Sequence, residues 1–441
     1  MPSPARPGRG RPGYVVTTMQ RLALIAACIY AGGLGVLGAQ TLEVTPKRAL
    51  VDQNAVVRAS GLEPNERVVI QARLTDGAEE PWASEAEFVA DAQGVVDTSR
   101  QSPVNGSYSE VSNMGLVWSM KPTAKHVIAY ESSRDQHSQI IEFALLRNGR
   151  RVLTAQLEQL RVGDEVRRIN IKGKLHGALF LPGGSGQHPG VLVVGGSEGG
   201  VPLAKAEWLA SHGFAALALA YFRYEDLPQD LSAIPLEYFG FALEWMKQRP
   251  EIAPDRIAVV GTSRGGELAL QLGSMYPQIK AVVAYVPANV RYPACCGRTA
   301  VPYAWTWKGE PLAYAPPRFD VSLEAEVTAG IPVERTQGPV LLIGAEDDGV
   351  WRSSMMTEAV ATRLQRTHFA YTVELLKYQH AGHRAGRPEI VPTWHGKLKH
   401  PVSGREVDLG GSARGDAEST IDAIPKVLAF LNDALGNGGG H

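Results

Sequence analysis

The sequence has few cysteines and almost no net charge. It contains 3 cysteines in 441 residues, and 44 Lys plus Arg residues balance 45 Asp plus Glu residues. This balance gives no reason to expect nucleic acid or an anionic membrane surface as a partner. Cys295 and Cys296 are adjacent, so the chain is not a disulfide-stapled scaffold. The apolar fraction of 44% allows a sizeable core and predicts two or three domains.

The common cofactor signatures are also missing. A phosphate-binding G-K-[ST] motif does not occur, and the G-x-G-x-x-G at Gly33–Gly38 has no strand–turn–helix context. His380 and His383 are three residues apart, but no third metal ligand lies near them in the sequence. We therefore expect neither a cofactor nor a metal ion.

The N-terminus has the pattern of an export signal. An apolar stretch from Leu22 to Ala39 follows several arginines, and Met19 is a second possible start. We expect residues 1–39 to direct export to the periplasm or outside the cell, with cleavage after Ala39. The alternative is an uncleaved helix at residues 22–39 that anchors the protein to a membrane.

The remaining chain divides at a change of pattern. Residues 40–166 carry short alternating runs separated by turn residues, which predicts a β-sandwich. Residues 167–436 alternate strand and helix patterns, which predicts a doubly wound α/β sheet. Residues 437–441 form a glycine-rich tail that we expect to be flexible.

The most informative motif runs from Gly261 to Gly265. An apolar strand pattern stops at G-T-S-R-G, and a helical pattern follows at once. This is the arrangement of a nucleophile elbow, in which Ser263 sits at the apex of a strained turn. The simpler interpretation is a glycine-rich turn with a surface serine, but the flanking strand and helix favour a nucleophile.

A nucleophilic serine needs a base and an acid that orients the base. Asp348 follows one predicted strand and His383 follows the next, so both are expected at one edge of the sheet. We prefer Asp348 to Asp347, because the neighbour is more easily explained as a cap for a helix that begins near Ser353. We prefer His383 to His380, because Gly382 permits a sharp turn. Five further histidines are interpreted as structural or solvated: His126, His137, His188, His212 and His400.

An oxyanion formed during acyl transfer needs backbone donors. Arg264 follows the serine at the start of the predicted helix, and Ser197 lies in the glycine-rich loop after the strand at 190–195. The backbone N–H groups of these two residues are therefore the expected oxyanion hole. A flexible glycine loop remains the plain alternative for residues 196–200.

Several longer motifs resemble one known family. They are YFRYEDLP at Tyr221–Pro228, LEYF at Leu236–Phe239, GGEL at Gly265–Leu268, IPVER at Ile331–Arg335, Asp347-Asp348 with Trp351, LEP at Leu62–Pro64, MGLVW at Met114–Trp118 and GALFLP at Gly177–Pro182. In this order they resemble the acyl-CoA thioesterases and the bile acid-CoA:amino acid N-acyltransferases, over roughly residues 41 to 436.

The resemblance implies an N-terminal immunoglobulin-like domain and an α/β-hydrolase domain with a Ser/Cys-Asp-His triad. The triad positions are Ser263, Asp348 and His383. Because the transferases use cysteine as nucleophile, serine here favours hydrolysis of acyl-CoA thioesters through an acyl-serine intermediate.

Export and an acyl-CoA substrate are in conflict, because coenzyme A is intracellular. The alternatives are an exported carboxylesterase or acyltransferase acting on other acyl esters, and less readily a serine peptidase. A noncatalytic binding protein is a further alternative, but a binder has no need of all three triad residues. The sequence leaves chain length, leaving group and oligomeric state open.

Overall fold

The computed structural model describes residues 39–133, 136–316 and 322–436. The predicted export signal, apart from Ala39, and the tail at 437–441 lie outside these residues. The described residues belong to one compact unit. None of their helices combines the length and apolarity needed to cross a bilayer.

The N-terminal part is built from β-strands. They are β1 (Thr41–Thr45), β2 (Arg48–Leu50), β3 (Val56–Ser60), β4 (Arg67–Thr75), β5 (Pro81–Val89), β6 (Val96–Asp97), β7 (Asn105–Gly106), β8 (Lys121–Pro122), β9 (Ser138–Arg147) and β10 (Arg150–Leu160). They form a small sheet in the order β1-β3-β6 and a larger one in the order β2-β10-β9-β4-β5-β7, with β8 beside β5. Burial alternates along β4 and β5, as expected for a sheet with one face toward the core. The finer assignment of this part as immunoglobulin-like stays a prediction.

The second part contains a large sheet that begins at Arg167. The strands of this part are β11 (Arg167–Ile171), β12 (His176–Leu181), β13 (His188–Val194), β14 (Ala215–Ala220), β15 (Ile234–Pro235), β16 (Ile252–Thr262), β17 (Ile279–Tyr285), β18 (Trp305–Trp307), β19 (Glu310–Pro311), β20 (Val340–Ala345), β21 (Val373–Tyr378), β22 (Leu398–Lys399) and β23 (Glu406–Val407). Eight of them form one sheet in the order β11-β12-β14-β13-β16-β17-β20-β21. From β14 to β21 all neighbours are parallel, and β12 is antiparallel to both its neighbours.

The described residues also form helices. They are α1 (Gly115–Trp118), α2 (Leu203–Ser211), α3 (Glu237–Lys247), α4 (Arg264–Met275), α5 (Leu323–Ala329), α6 (Ser353–Arg366) and α7 (Ala413–Leu435), with a 3-10 turn at Val333–Arg335. Helices α4 and α7 both contact β16 and β17, and α6 contacts β20 and β21. Strands β14 and β20 are buried at every residue, which explains their continuous apolar runs. The sheet order, the covering helices and the serine turn after β16 make this an α/β-hydrolase fold, as the sequence predicted.

The two parts share a hydrophobic core and a set of buried polar contacts. One cluster of buried side chains extends from the N-terminal strands to the α/β sheet. Asp52, buried after β2, accepts hydrogen bonds from Trp208 Nε1 (2.9 Å) and His212 Nε2 (2.7 Å) on and beside α2. Gln159 of β10 donates to the Ile390 carbonyl oxygen at 2.9 Å. These contacts hold the end of β10 against the loops that follow the α/β strands.

Candidate active site

Ser263 lies in a sharp turn between β16 and α4. Its backbone has φ 59° and ψ −120°, a strained conformation that residues other than glycine rarely adopt. The flanking glycines make the turn possible. A Cβ at Gly261 would lie 1.9 Å from the Gly265 carbonyl oxygen, and one at Gly265 would lie 2.3 Å from that of Gly195. The G-x-S-x-G pattern is therefore required by close backbone approach, and it presents Ser263 at the edge of the sheet.

His383 links the serine to a buried acid. Its Nε2 lies 2.8 Å from Ser263 Oγ, and its Nδ1 lies 2.8 Å and 3.0 Å from the two carboxylate oxygens of Asp348. The Asp348 side chain is fully buried, and the His383 side chain is 11% exposed. The Asp348 carboxylate also accepts the backbone N–H groups of Val350 and Trp351, which fixes its position. The three predicted side chains thus form one continuous hydrogen-bonded chain.

The alternative acid and base, Asp347 and His380, do not take part in these hydrogen bonds. Asp347 and His380 pair with each other at 3.4 Å, with side chains 54% and 77% exposed. Our reason for setting Asp347 aside was nevertheless wrong, because α6 begins after Arg352 and has no side-chain cap. Gly382 was expected to permit a sharp turn before His383, but the structure gives it a different role. A Cβ there would lie 2.3 Å from the Gly410 carbonyl oxygen, so this glycine serves close packing beside His383.

The loop after β13 touches the serine. A Cβ at Gly196 would lie 3.3 Å from Ser263 Cβ, so the next residue, Ser197, stands beside the turn. The Ser197 hydroxyl lies 3.0 Å from His400 Nε2. His400 Nδ1 accepts the N–H groups of Val402 and Ser403, so Nε2 carries the proton and donates to Ser197. Burial lowers the pKa of His400, which favours this neutral form.

The predicted oxyanion donors are available for a new acceptor. No hydrogen bond among the described residues uses the backbone N–H of Ser197 or of Arg264. Arg264 is the first residue of α4, where the end of the helix dipole is positive. Its side chain braces the turn, since the guanidinium donates to the carbonyl oxygens of Tyr292 and Pro293 and lies 3.3 Å from buried Glu267. The adjacent cysteines Cys295 and Cys296, two residues further on, are joined in a disulfide.

A cavity of about 1070 Å³ opens beside Ser263 and His383. Seven basic side chains line it: Arg161, Arg168, Lys205, Arg223, Arg384, Arg387 and Lys399. Glu198 and Glu389 are the acidic residues of this lining. The ammonium of Lys205 lies 3.2 Å from the centre of the Tyr285 ring, and burial lowers its pKa to about 7. The cavity is therefore suited to a substrate with negative charge.

One other group of side chains has metal-ligand chemistry. Among the described residues it consists of His176, Glu225 and Asp226. His176 contacts Glu225 through Nδ1 at 2.7 Å and Asp226 through Nε2 at 3.2 Å. Each ring nitrogen of His176 therefore already has a carboxylate partner, and both acids are exposed.

The nucleophile elbow, the hydrogen bonds of His383 to Ser263 and Asp348, and the parallel sheet define an α/β-hydrolase. Models of the two regions of the acyl-CoA thioester hydrolase/BAAT family match the chain. The N-terminal region matches residues 52–173, and the C-terminal region matches residues 234–296 and 313–437. The chain belongs to this family, as its motifs indicated, and the expectation of an enzyme is confirmed.

Similar proteins extend over almost the whole chain. The mouse acyl-coenzyme A thioesterase 6 is 31% identical over 90% of this chain and 97% of its own length. The mouse peroxisomal succinyl-coenzyme A thioesterase is 30% identical over 90% of this chain and 98% of its own. The mouse acyl-coenzyme A amino acid N-acyltransferase 1 is 31% identical over 89% and 97%. The family thus contains both hydrolases and a transferase.

Solved structures are similar to a part of the chain. A dienelactone hydrolase-like promiscuous phosphotriesterase from metagenomic libraries is 18% identical, with a TM-score of 0.38, over 62% of this chain and 98% of its own. An α/β hydrolase from a deep-sea metagenome library is 16% identical, with a TM-score of 0.39, over 62% and 98%.

Sequence reasoning missed several residues at this site. His400 was assigned a structural or solvated role, but it contacts the loop that bears Ser197. Lys205, Arg384 and Arg387 line the cavity and were not singled out. Arg384 directly follows His383, and this adjacency was the one signal available. Lys205 reaches the cavity through the packing of α2, which no local pattern reveals.

Proposed function

We propose that the protein hydrolyses acyl thioesters to a free acid and a thiol through an acyl-serine intermediate. The observation that carries the proposal is His383, whose ring nitrogens lie 2.8 Å from Ser263 Oγ and 2.8 Å from Asp348. Membership of the thioester hydrolase family supports thioesters as the substrate class. Acyl-CoA is the first thioester to test, because relatives carry its name.

In the first half of the reaction, Ser263 Oγ attacks the carbonyl carbon while His383 Nε2 takes the hydroxyl proton. Asp348 holds Nδ1–H and stabilises the imidazolium. The C–S bond then breaks, and the proton passes from His383 to the leaving thiolate. In the second half, His383 deprotonates water, which attacks the carbonyl carbon of the acyl-serine ester. The bond from this carbon to Ser263 Oγ then breaks, His383 returns the proton to Ser263 Oγ, and the acid is released.

The negative charge that develops on the carbonyl oxygen would be held by the backbone N–H groups of Ser197 and Arg264. Arg264 directly follows Ser263, and Ser197 directly follows Gly196, which lies against Ser263. Neither N–H has an acceptor among the described residues. The bond from His400 to the Ser197 side chain supports a fixed position for this loop. Fixed donors of this type stabilise a transition state without reorganisation at the moment of reaction.

The direct test is covalent labelling. A fluorophosphonate probe should modify Ser263 in the wild type, and Ser263→Ala should remain unlabelled. The same pair should then be assayed with acyl-CoAs and with simple esters of matched chain length. Labelling together with faster turnover of the thioesters supports the proposal. An unlabelled, inactive wild type would instead favour a binding protein that retains the fold.

The runner-up is an exported carboxylesterase or acyltransferase that acts on other acyl esters. It follows from the apolar stretch at residues 22–39, since an exported enzyme would not meet coenzyme A. The side-by-side profile of thioesters and esters separates the two candidates. Faster hydrolysis of esters, or an amide product when glycine is supplied, would support the runner-up.

A further inference from the structure

A disulfide between two neighbouring residues lies close to the nucleophile elbow. Cys295 and Cys296 are joined, with Cα atoms 3.7 Å apart. Both residues are half-buried, so a thiol reagent can reach them. A bond between adjacent residues closes no loop of chain, and it therefore lacks the usual way in which a disulfide stabilises a fold. The proposed reaction does not use the pair either, which leaves its role to be explained.

The disulfide constrains the backbone on both sides of it. Cys296 has φ 85°, in the left-handed region that residues other than glycine avoid. The backbone N–H of Cys295 donates to the Leu231 carbonyl oxygen at 3.1 Å, and that of Ala294 donates to the Pro302 carbonyl oxygen at 2.9 Å. Opening the S–S bond removes the covalent constraint on Cys296. Its φ can then return to the ordinary negative range, and the residues before it can shift.

The residues just before the pair hold the elbow. Arg264, which directly follows Ser263, donates from its guanidinium to the carbonyl oxygens of Pro293 at 3.1 Å and Tyr292 at 3.2 Å. The Arg264 side chain is 5% exposed, so water does not readily replace a bond that is lost there. A shift of this segment would therefore leave a buried guanidinium short of acceptors at the start of α4, next to the reacting serine.

The same segment also contacts the surroundings of the base. The Tyr292 ring stacks on Trp351 with ring centres 5.5 Å apart, and the Trp351 ring meets that of His383 edge to face, also at 5.5 Å. The Trp351 backbone N–H donates to the Asp348 carboxylate. Residues 292–296 are therefore connected both to the serine turn and to the loop that carries the acid.

We propose that Cys295 and Cys296 form a reversible redox-modification site, and that their disulfide holds the active site in its working arrangement. This inference rests on the proposed thioesterase function and adds a means of regulating it. The reaction partner is a dithiol reductant, which is a small molecule or a protein with a pair of thiols. The oxidised enzyme is then the fast form, and the reduced enzyme is the slow form.

Reduction proceeds by thiol–disulfide exchange. A thiolate of the reductant attacks one sulfur of the pair, the bond between Cys295 and Cys296 breaks, and a mixed disulfide forms with one of them. The second thiol of the reductant displaces that cysteine, so two electrons and two protons pass to the protein and the reductant leaves as a disulfide. A disulfide oxidant reverses these steps. Activity would thus be low in a reducing cytosol and high where disulfides persist.

The experiment compares one protein in two redox states. Cys28→Ser is the background, so that all thiol chemistry comes from the pair. The full chain is treated with dithiothreitol under native conditions, and the reagent is removed under argon because it would itself cleave thioesters. Mass spectrometry after alkylation should show both cysteines modified in the reduced form and neither in the oxidised form. We expect kcat/KM to fall about tenfold or more on reduction, since small displacements of reacting groups are costly, and oxidised glutathione should restore it.

Two variants test the route of this effect. Cys295→Ser combined with Cys296→Ser should have the activity of the reduced form and should not respond to dithiothreitol. Arg264→Lys keeps a positive charge beside Glu267 but lacks the fork that bonds both carbonyl oxygens. It should be slow in both redox states, and reduction should change its kcat/KM less than about twofold, because effects that act through one contact do not add. An undiminished fall in Arg264→Lys would overturn the proposed coupling.

The redox site and the proposed function can fail separately. Reduction of both cysteines with unchanged kcat/KM would overturn the redox proposal, and so would a pair that dithiothreitol does not reduce in the folded protein. Hydrogen exchange followed by mass spectrometry needs no turnover, and the amides of Ala294 and Cys295 should exchange faster after reduction. Faster exchange in a protein that hydrolyses no thioester in either state would remove the proposed function alone. Equal exchange in the two states would overturn the redox proposal even in an active hydrolase.

Discussion

Two neighbouring acids, Asp347 and Asp348, differ entirely in their surroundings. Asp348 is buried and bonded to His383, while Asp347 is half exposed and pairs with exposed His380. A side chain that is held by the protein can orient a base, whereas a solvated pair is screened and contributes little. The environment therefore assigns the acid, although the two residues are adjacent in the sequence.

Alanine substitution should separate these roles. We expect Ser263→Ala, His383→Ala and Asp348→Ala each to lower kcat by about 10³ or more, because the three groups act as one unit. For the same reason, the double variants should be little worse than the singles. Steady-state kinetics on matched thioesters measure both effects.

Asp347→Ala is the matched control, and its kcat should stay within about twofold of the wild type, as for other exposed ion pairs. A larger loss with Asp347→Ala than with Asp348→Ala would contradict the assignment of the acid.

Lys205 should make stability depend on pH. Burial lowers its pKa from the ordinary value of 10.5 to about 7 in the folded protein. Between these values the unfolded chain binds more protons than the folded one, so this group makes stability rise with pH; below about pH 7 its full cost is present. Each pKa unit corresponds to about 1.4 kcal/mol.

Lys205→Met should therefore raise the thermal midpoint most at pH 6.5, and its advantage over the wild type should shrink at pH 9.5. Thermal unfolding followed by circular dichroism at both pH values measures this difference. The exposed Lys172 is the control position, and Lys172→Met should have little effect at either pH. An advantage of the same size at both pH values would show that Lys205 is not buried as a charge.

At the scale of elements, the strand–turn–helix unit of β16 and α4 is held by backbone contact. Gly265 allows the start of α4 to approach the end of β13, with no room for a side chain. The position of Ser197, in the glycine-rich loop after β13, depends on this close approach. A displaced helix would therefore move both expected oxyanion donors relative to Ser263.

Gly265→Ala should disrupt this unit, because its Cβ would lie 2.3 Å and 2.6 Å from two carbonyl oxygens of β13 and its loop. We expect a fall in the thermal midpoint of several degrees or more, together with loss of turnover. Gly163→Ala is the matched control, since its Cβ would meet nothing closer than 3.6 Å. Normal stability and activity in Gly265→Ala would show that the elbow tolerates a wider separation.

At the scale of the whole molecule, the N-terminal part contributes to the cavity as well as to the core. Arg161 and Ser132 belong to that part and line the cavity beside Ser263. The bonds from Trp208 and His212 to Asp52 also join the two parts. The cavity is therefore lined by both parts, and the α/β part alone would lack the side chains of Arg161 and Ser132.

Location decides which thioesters the enzyme meets. We propose that residues 1–39 act as an export signal, since basic residues precede an apolar stretch that ends at Ala39. N-terminal sequencing of protein from an extracytoplasmic fraction should then give Gln40, just before β1. An intact N-terminus in the membrane pellet would support an anchor instead. Recovery from the cytosol would overturn both, and would favour acyl-CoA as the substrate.

Local sequence determined much of the catalytic part. The continuous apolar runs predicted the buried strands β13, β16 and β20, because both faces of a parallel sheet are covered. The elbow glycines predicted the turn, and the order serine, acid, histidine placed the other two residues after successive strands. These features are readable because each depends on residues adjacent in the sequence or on a fixed strand period.

Only the tertiary structure decided which acid and which histidine meet the serine, and what surrounds them. Residues from distant parts of the chain meet in the contact of His400 with Ser197 and in the lining of one cavity by Arg161, Lys205 and Arg384. Their positions depend on how β10, α2 and the loops after β21 pack together. The burial and the charge of side chains that meet in this way are properties of the packed molecule, so no local pattern in the sequence reveals them.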